Sequence, residues 1–298
     1  MPGRDVEREK TLLWVTREGS LTEIATLDGV SAQHSLSPDA RRLLTIRATP
    51  AGRDVWIIDL AGGPPTRLTL GGVHNFPIWA GQRVIYNSGA LNANLFWKAA
   101  DPAAADERLM PSQYQQIPGS VSPDGTTLAY SEDRPETGRD IFLLSLREPR
   151  QARLLIGTKA GEWMPMFSPD GRWLAYQSNM AGRFSIYLAS LADGRQFPVS
   201  DDGQDPLWSP DGRELYYRAN LDAERGDLMA VTIDTTGAEP RFGTRRLLFS
   251  LDPFYGMGDI APDGRFFFLK GTPKEASSRF IHLVSNWFDE LRSKVPQR

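Results

Sequence analysis

The sequence contains no cysteine and only three histidines among its 298 residues. Without cysteine the chain has no disulfides, thiolate metal sites or thiol nucleophile, and this absence fits a reducing or an oxidising compartment. No apolar run approaches the ~20 residues of a membrane span. Residues 1–10 are charged and do not have the pattern of a signal peptide. We therefore expect a chain that is cytoplasmic as written and does not insert into a membrane.

Motifs of catalysis and of nucleic-acid binding are also missing. The sequence has no Gly-X-Ser-X-Gly elbow, no His-Glu-X-X-His pair and no glycine-rich phosphate loop. The 34 basic residues are balanced by 37 acidic ones, so the net charge is −3 and there is no basic signature. We expect no catalytic residue in this chain and no nucleic-acid partner.

What the sequence does contain is a recurring turn. Ser-Pro-Asp-Gly stands at 122–125, 168–171 and 209–212, with variants at 37–40 and 261–264. A sixth copy, marked by Ala80, emerges when 77–84 is aligned with 206–215 and two turn residues are deleted. The first residues of the six copies lie 43, 42, 46, 41 and 52 residues apart. Periods of this length are typical of blade repeats, in which a four-stranded unit must stack on its neighbours.

The residue types explain the turn. Proline pre-sets the backbone for the second position of a type I turn, aspartate suits the third, and glycine adopts the left-handed conformation that closes a hairpin. Ala40 stands where the other complete copies have glycine. This predicts that the first hairpin is either strained or differently shaped.

Two further columns complete each repeat. A polar residue opens a third strand, at Asp54, Asn94, Asp140, Ser185 and Asp227. An Arg-Leu pair marks the fourth strand, at 67–68, 108–109, 153–154 and 246–247. The arginines recur once per repeat, which favours cross-strand contacts to the polar column over an anion site. The sequence thus predicts an all-β, six-bladed β-propeller of four-stranded antiparallel blades.

The hairpin, the aromatic residue before it and the Asp-X-aromatic strand after it resemble the TolB-like, WD-repeat-like family of six-bladed β-propellers. Residues 12–19 and 281–291 further resemble the termini of propellers that follow the kinase domain and membrane helix of many bacterial serine/threonine protein kinases. These resemblances imply a sensory or regulatory module that binds a protein or peptide. If the chain is a fragment of such a membrane-anchored kinase, the expected location becomes extracytoplasmic or periplasmic.

We interpret residues 1–10 as a flexible lead-in and 11–298 as one propeller domain. Strands from the N-terminus and the C-terminus are expected to share a blade, because this pairing removes the free sheet edge. The C-terminal contribution is the last hairpin together with 281–284, and which terminal strand closes the blade stays open. Asn286, Asp289 and the apolar residues that follow predict a short C-terminal helix. We expect a monomer.

Candidate ligand-binding residues lie in the loops that lead into the innermost strands, because these loops converge at one face of a propeller channel. The predicted channel-face residues are His34, His74, Asn75, Tyr114, Gln115, Glu162, Trp163, Asp202, Asp205 and Asp259. His282 is expected in a strand, with a structural or exposed role. Asp201, Asp202 and Asp205 offer hard oxygen ligands for calcium, but they lack the spacing of a calcium loop, which favours a solvated acidic turn and no cofactor.

The function predicted from these observations is non-enzymatic binding of a protein or peptide at the channel face. The alternative is a propeller that gates or houses a hydrolase or lyase site and needs another domain or a metal. Only about ten residues follow Trp287, so a separate catalytic domain is not expected in this chain.

Overall fold

The computed structural model describes residues 9–220, 226–237, 239–251 and 258–271. All regular structure within these ranges is β-strand, arranged in six antiparallel sheets. The predicted all-β, six-bladed propeller is therefore confirmed. In the part of the chain that the structure describes, no helix is long and apolar enough to cross a bilayer.

The strands follow the repeat along the chain. The first two, which belong to blade 6, are β1 (Lys10–Val15) and β2 (Leu21–Leu27). Blade 1 contains β3 (Val30–Leu36), β4 (Arg42–Thr49), β5 (Gly52–Asp59) and β6 (Thr66–Arg67). Blade 2 contains β7 (His74–Ala80), β8 (Arg83–Ser88), β9 (Asn94–Ala99) and β10 (Glu107–Met110). Blade 3 contains β11 (Gln116–Val121), β12 (Thr127–Arg134), β13 (Gly138–Ser145) and β14 (Ala152–Ile156).

The remaining blades repeat this order. Blade 4 contains β15 (Glu162–Phe167), β16 (Trp173–Ser178), β17 (Ser185–Ser190) and β18 (Gln196–Pro198). Blade 5 contains β19 (Gln204–Trp208), β20 (Glu214–Ala219), β21 (Gly226–Asp234), β22 (Arg241–Phe242) and β23 (Arg246–Leu251). Blade 6 is completed by β24 (Phe266–Gly271) and by a bridge between Ile260 and Phe266.

The ring closes through the chain termini. Strand β1 pairs antiparallel with β24, from Lys10 opposite Gly271 to Val15 opposite Phe266. The N-terminal β1 and β2 thus form the outer half of the blade whose inner half is C-terminal, which confirms the predicted closure. Lys10 already lies in β1. The predicted lead-in up to residue 8, the strand 281–284 with His282 and the C-terminal helix lie outside the described residues.

Each Ser-Pro-Asp turn is fixed by the same hydrogen bonds. In the copy at 168–171, Ser168 Oγ donates to Asp170 Oδ1 (2.6 Å) and accepts from the Trp173 amide (3.0 Å). The Gly171 amide donates to the Ser168 carbonyl at 2.9 Å. Ala40 makes the equivalent bond at 2.7 Å with φ of 54°, so the first hairpin has the common shape and carries the strain of a left-handed alanine.

The core consists of apolar clusters packed between the blades. A tyrosine on the second strand of blades 2 to 5 is almost fully buried in each case: Tyr86, Tyr130, Tyr176 and Tyr217. Between blades 3 and 4, Tyr176 packs with Ile141, Leu143 and Leu174. These clusters hold the blades side by side, so that the ends of the innermost strands lie next to one another.

Candidate functional site

All of the candidate residues except His34 and Asp259 lie at the end of the ring where the innermost strands begin. We call this end the channel face and define it by the loops before the innermost strands (residues 69–75, 111–116, 157–164 and 201–205) and the second-to-third-strand hairpins (89–93 and 179–184). The Ser-Pro-Asp turns lie at the opposite end, because each follows an innermost strand. Hydrogen bonds between blades fix this face: Gln33 Oε1 accepts from the Phe76 amide (2.9 Å), and Gln177 Oε1 accepts from the Asp205 amide (2.7 Å).

The innermost strands are bulged at the same place. Phe76, Met164 and Asp205 each precede a proline and have φ of 51°, 52° and 54°, in the left-handed region. Each falls within a register shift between the first and second strands of its blade. A bulge re-aims side chains, and a left-handed non-glycine residue costs roughly 1–2 kcal/mol. Phe76 and Met164 were not predicted from the sequence, although an X-Pro dipeptide that recurs four residues before the hairpin marker was a usable signal.

Large apolar side chains are exposed on this face. Leu70 is 75% exposed, Leu91 88%, Met180 50% and Met164 39%. They come from the loops of blades 1, 2 and 4 and from the innermost strand of blade 4. Sequence reasoning did not select these residues, because an isolated apolar residue in a loop has no periodicity to reveal its exposure.

His34 and Asp259 were predicted on the channel face but lie along the innermost strands where blade 6 meets blade 1, with Asp259 next to the turn at 261–264. The Asp259 carboxylate accepts from the Leu36 amide at 2.5 Å, and burial raises the pKa of Asp259 to about 6. His34 Nδ1 contacts the Ala32 carbonyl oxygen at 2.7 Å, while Nε2 is buried without a hydrogen-bond partner among the described residues. Burial lowers the pKa of His34 to about 4, so the ring is neutral at pH 7. Its edge packs on Phe267 with a centroid distance of 5.5 Å.

His74 is buried between blades 1 and 2. Its Nε2 lies 3.7 Å from Asp54 Oδ1, and its ring packs edge-on against Tyr86. The Asp54 carboxylate also accepts hydrogen bonds from Arg67 Nη2 (2.5 Å) and Thr69 Oγ1 (3.2 Å). Burial lowers the pKa of His74, which keeps the ring neutral in this packed junction. Its neighbour Asn75 is partly buried and lies opposite Asn87 in the register.

Glu162 lies in the junction between blades 3 and 4 and is 1% exposed. Its Oε1 accepts from Thr158 Oγ1 (2.6 Å) and Ser178 Oγ (3.4 Å). Burial, together with the negative charge of the nearby Asp140, raises the pKa of Glu162 to about 7. Burial also raises the pKa of Asp140, whose Oδ2 accepts from Thr137 Oγ1 at 2.7 Å. The structure thus brings together two buried acids, of which the sequence analysis selected only Glu162 for the site.

Trp163 and Tyr114 are both stacked with arginine. The Arg139 guanidinium lies 3.5 Å from the Trp163 ring centroid and pairs with both carboxylate oxygens of Asp133. Arg134 lies 4.9 Å from the Tyr114 ring centroid. Both aromatic rings are partly buried, and so is Gln115, whose carbonyl accepts from the Asp133 amide. These two arginine–aromatic contacts place charged and aromatic groups next to one another on blades 3 and 4.

Of the three acidic residues at 201–205, two are paired with arginines and one accepts a hydrogen bond from a backbone amide. Asp201 forms an ion pair with Arg245 at 2.6 Å, and Asp205 Oδ2 accepts from Arg218 Nε at 2.9 Å. Asp202 Oδ2 accepts from the Asn220 amide at 3.3 Å. Among the described residues, no group of three or more His, Asp or Glu side chains has a metal-binding arrangement.

The predicted arginine column is only partly regular. Arg67 and Arg108 reach Asp54 and Asn94 on the neighbouring strand, as predicted. The register places Leu154 rather than Arg153 opposite Phe142, and Leu247 rather than Arg246 opposite Met229. Arg246 pairs with Glu214 instead. The interpretation of Arg153 and Arg246 as members of the column was wrong, because the fourth strands of blades 3 and 5 are shifted by one residue.

Concave surface also exists at the opposite end of the ring. A groove of about 660 Å³ between blades 4 and 5 is lined by residues that include Trp173, Trp208, Asp170 and Arg241. Trp173 Nε1 is buried without a hydrogen-bond partner among the described residues. The flanking aspartates are held in the Ser-Pro-Asp turns, so this groove is built mainly from architectural residues.

Comparison with known proteins places this geometry among solved propellers. A putative TolB from Agrobacterium tumefaciens superposes with a TM-score of 0.74 at 18% identity, covering 90% of this chain and 99% of that one. The fold is that of a TolB-like six-bladed β-propeller. TolB from Acinetobacter baumannii is also similar, with a TM-score of 0.61 at 16% identity. The match covers 78% of this chain and 62% of that chain.

The TolB-like fold is shared with enzymes. An oligogalacturonate lyase in complex with manganese matches with a TM-score of 0.59 at 16% identity, over 78% of this chain and 68% of the lyase. No protein-family model matches the sequence, and no curated protein matches it. At these identities the likeness establishes the fold.

Proposed function

We propose that this TolB-like propeller is a non-enzymatic module that binds a protein or peptide at its channel face. The observation that carries the proposal is the exposure of Leu70, Leu91, Met164 and Met180 on that face. Exposed apolar side chains near aromatic and charged groups are features of protein-interaction surfaces. The resemblance to TolB-like proteins, which bind protein partners, supports the same assignment.

Backbone strain supports the channel face as the working surface. Phe76 and Met164 keep large side chains at positions where glycine would relieve the left-handed strain. Such strain concentrates at binding sites, because a stable fold can hold a side chain in an aimed but unfavourable conformation. Met164 combines this strain with exposure, so we assign it as a contact residue.

The proposal extends to a sensory or regulatory role in a bacterial signalling protein. Its support is the resemblance of residues 12–19 and 281–291 to the ends of kinase-linked propellers. In that setting the channel face would bind the signal-bearing protein or peptide. The coding sequence around this chain tests the role: a kinase domain and a membrane helix support it, and a hydrolase domain supports the enzyme alternative.

Binding at the channel face can be tested with two sets of surface variants. The first set, Leu91→Ser, Met180→Ser and Met164→Ser, removes exposed apolar groups from the channel face. The control set, Leu21→Ser and Leu247→Ser, removes side chains of similar exposure (53% and 54%) from outer strands. We expect a protein captured from a native extract to be lost with the first set and retained with the control. Retention by both, with unchanged melting curves, would contradict the proposal.

The alternative function is an enzyme in which the propeller houses or gates the reaction. The observation that favours it is the pair of buried acids Asp140 and Glu162, because acids with raised pKa values are frequent in active sites. Adding a candidate catalytic domain or a divalent metal and measuring turnover of an oligosaccharide or peptide substrate tests it. Turnover lost on Glu162→Gln would replace the binding proposal with this one.

A further inference from the structure

The junction between blades 3 and 4 contains two buried carboxyl groups whose hydrogen bonding is incomplete. Asp140 is 3% exposed and Glu162 is 1% exposed. Asp140 Oδ1 and Glu162 Oε2 have no hydrogen-bond partner anywhere in the described chain. A buried carboxylate is costly unless a positive charge or hydrogen-bond donors compensate it. Binding of a cation or a proton would therefore stabilise the pair.

Equivalent junctions in the same ring contain a guanidinium at this point. In blade 1, Arg67 lies opposite Trp56 in the register and bonds to Asp54, two residues before that tryptophan. In blade 2, Arg108 lies opposite Phe96 and bonds to Asn94 in the same way. The internal repeat thus gives the geometry by which an arginine side chain reaches the polar column.

Blade 3 places a leucine at that position. Leu154 lies opposite Phe142, two residues after Asp140. An ideal Cβ built on Gly157 would lie 3.0 Å from Leu154 Cδ2 and 3.6 Å from Asp140 Cγ, so the two side chains converge on the same glycine. Leu154 is 52% exposed, so the position that corresponds to Arg67 lies at the protein surface. In blade 1 the Arg67 side chain is itself 32% exposed.

The arginines on β12 and β13 have other partners. Arg134 Nη2 lies 2.5 Å from Glu132, and Arg139 pairs with Asp133 while stacking on Trp163. Arg134 and Glu136 still act on Asp140 through space with opposite signs. No basic side chain of the described chain forms a hydrogen bond to the two open carboxylate oxygens.

We propose that the Asp140–Glu162 pair receives the guanidinium of an arginine side chain supplied by the protein or peptide that binds the channel face. The claim that a bound partner supplies this arginine rests on the proposed function. At Asp140 this guanidinium takes the place that Arg67 takes at Asp54, and it makes charge-assisted hydrogen bonds to Oδ1 and Oε2. Arginine fits better than lysine, because its planar fork can bond to two carboxylates at once.

The site can be tested without knowing the partner. The probe is methylguanidinium chloride at about 100 mM, compared with sodium chloride of equal ionic strength on the full chain. Carbon NMR of the Glu162 side-chain carboxyl group follows its protonation. A cation that binds the ionised pair lowers the measured pKa, and we expect a decrease of about 0.5 or more. An unchanged pKa overturns the proposal, and so does a decrease caused by about 1 mM Ca²⁺ but not by methylguanidinium.

A substitution inside the chain gives an independent test. Leu154→Arg places a guanidinium at the register position of Arg67 and Arg108, and Leu154→Gln is its neutral control. We expect the arginine variant to have a lowered Glu162 pKa without the probe and no response when the probe is added. A persistent response in this variant overturns the proposed position of the cation. If the variant does not fold, the probe titration of the parent chain still decides.

The two proposals fail separately. A missing response to methylguanidinium removes the arginine site and leaves partner capture by Leu91, Met164 and Met180 unaffected. Loss of partner capture removes the source of the arginine, while the probe still measures whether the pair accepts a guanidinium.

Discussion

Replacing Glu162 with glutamine should remove a defined part of the pH dependence of stability. The carboxyl group is buried, and its pKa is raised from an ordinary 4.5 to about 7. An acid with a raised pKa in the folded state binds its proton more tightly there than in the unfolded chain. The free energy of unfolding therefore decreases as the pH rises from about 4.5 to about 7, and the loss is complete above that window.

The magnitude follows from the two pKa values. At about 1.4 kcal/mol per pKa unit, the difference between 4.5 and about 7 corresponds to about 3 kcal/mol. Glutamine has the same shape, can accept the hydrogen bonds of Thr158 and Ser178, and does not ionise. We expect the stability difference between Glu162→Gln and the parent chain to change by about this amount, in favour of the variant, between pH 4.5 and pH 8.

Urea unfolding at several pH values between these limits measures the effect. Glu23→Gln is the control, because Glu23 is exposed on β2 of blade 6, away from this junction. Parallel stability curves for Glu162→Gln and the parent would refute the burial and charge argument for this junction.

Further predictions concern left-handed positions. Urea unfolding measures the changes in stability, and partner capture from native extract measures the changes in binding. Ala40→Gly should stabilise the chain by roughly 1 kcal/mol, and Gly171→Val should destabilise it by roughly 1–2 kcal/mol, because their φ values are 54° and 69°; equal effects would contradict a common turn shape. Met164→Gly should leave stability unchanged or raise it by up to about 1 kcal/mol while weakening partner binding several-fold. Met164→Ala should weaken partner binding as much as Met164→Gly does, but without stabilising the fold. Undiminished partner binding by both variants would contradict the role of Met164 as a contact residue.

The blade architecture could be predicted because its signals are local. Ser-Pro-Asp turns form their hydrogen bonds within six residues, so their chemistry is visible in the sequence. Pairing of the termini followed from counting strands and from the cost of a free sheet edge. Side-chain register was less accessible: a one-residue shift in β14 puts Leu154 in place of Arg153, and nothing in the local sequence marks that shift.

The sequence predicted which loops gather at one face but not which of their side chains are buried. Loops before the innermost strands do gather at one face, yet Glu162 and His74 within them are buried. Burial there depends on the neighbouring blade, which supplies Asp140 to Glu162 and Asp54 to His74. Contacts between repeats about 40 residues apart leave no pattern in the local sequence. The exposed Met164 was therefore not predicted as a site residue, whereas the buried Glu162 was.

Site-specific photo-crosslinking tests most directly whether the channel face binds the partner. A photoreactive amino acid is placed at Leu91 or Met180 on the channel face, and at Leu21 or Leu247 on the outer strands, all about half exposed or more. After irradiation in native extract, the account predicts one crosslinked protein from the channel-face positions and none from the outer positions. Crosslinks from the outer strands alone, or equally from all four positions, would contradict it.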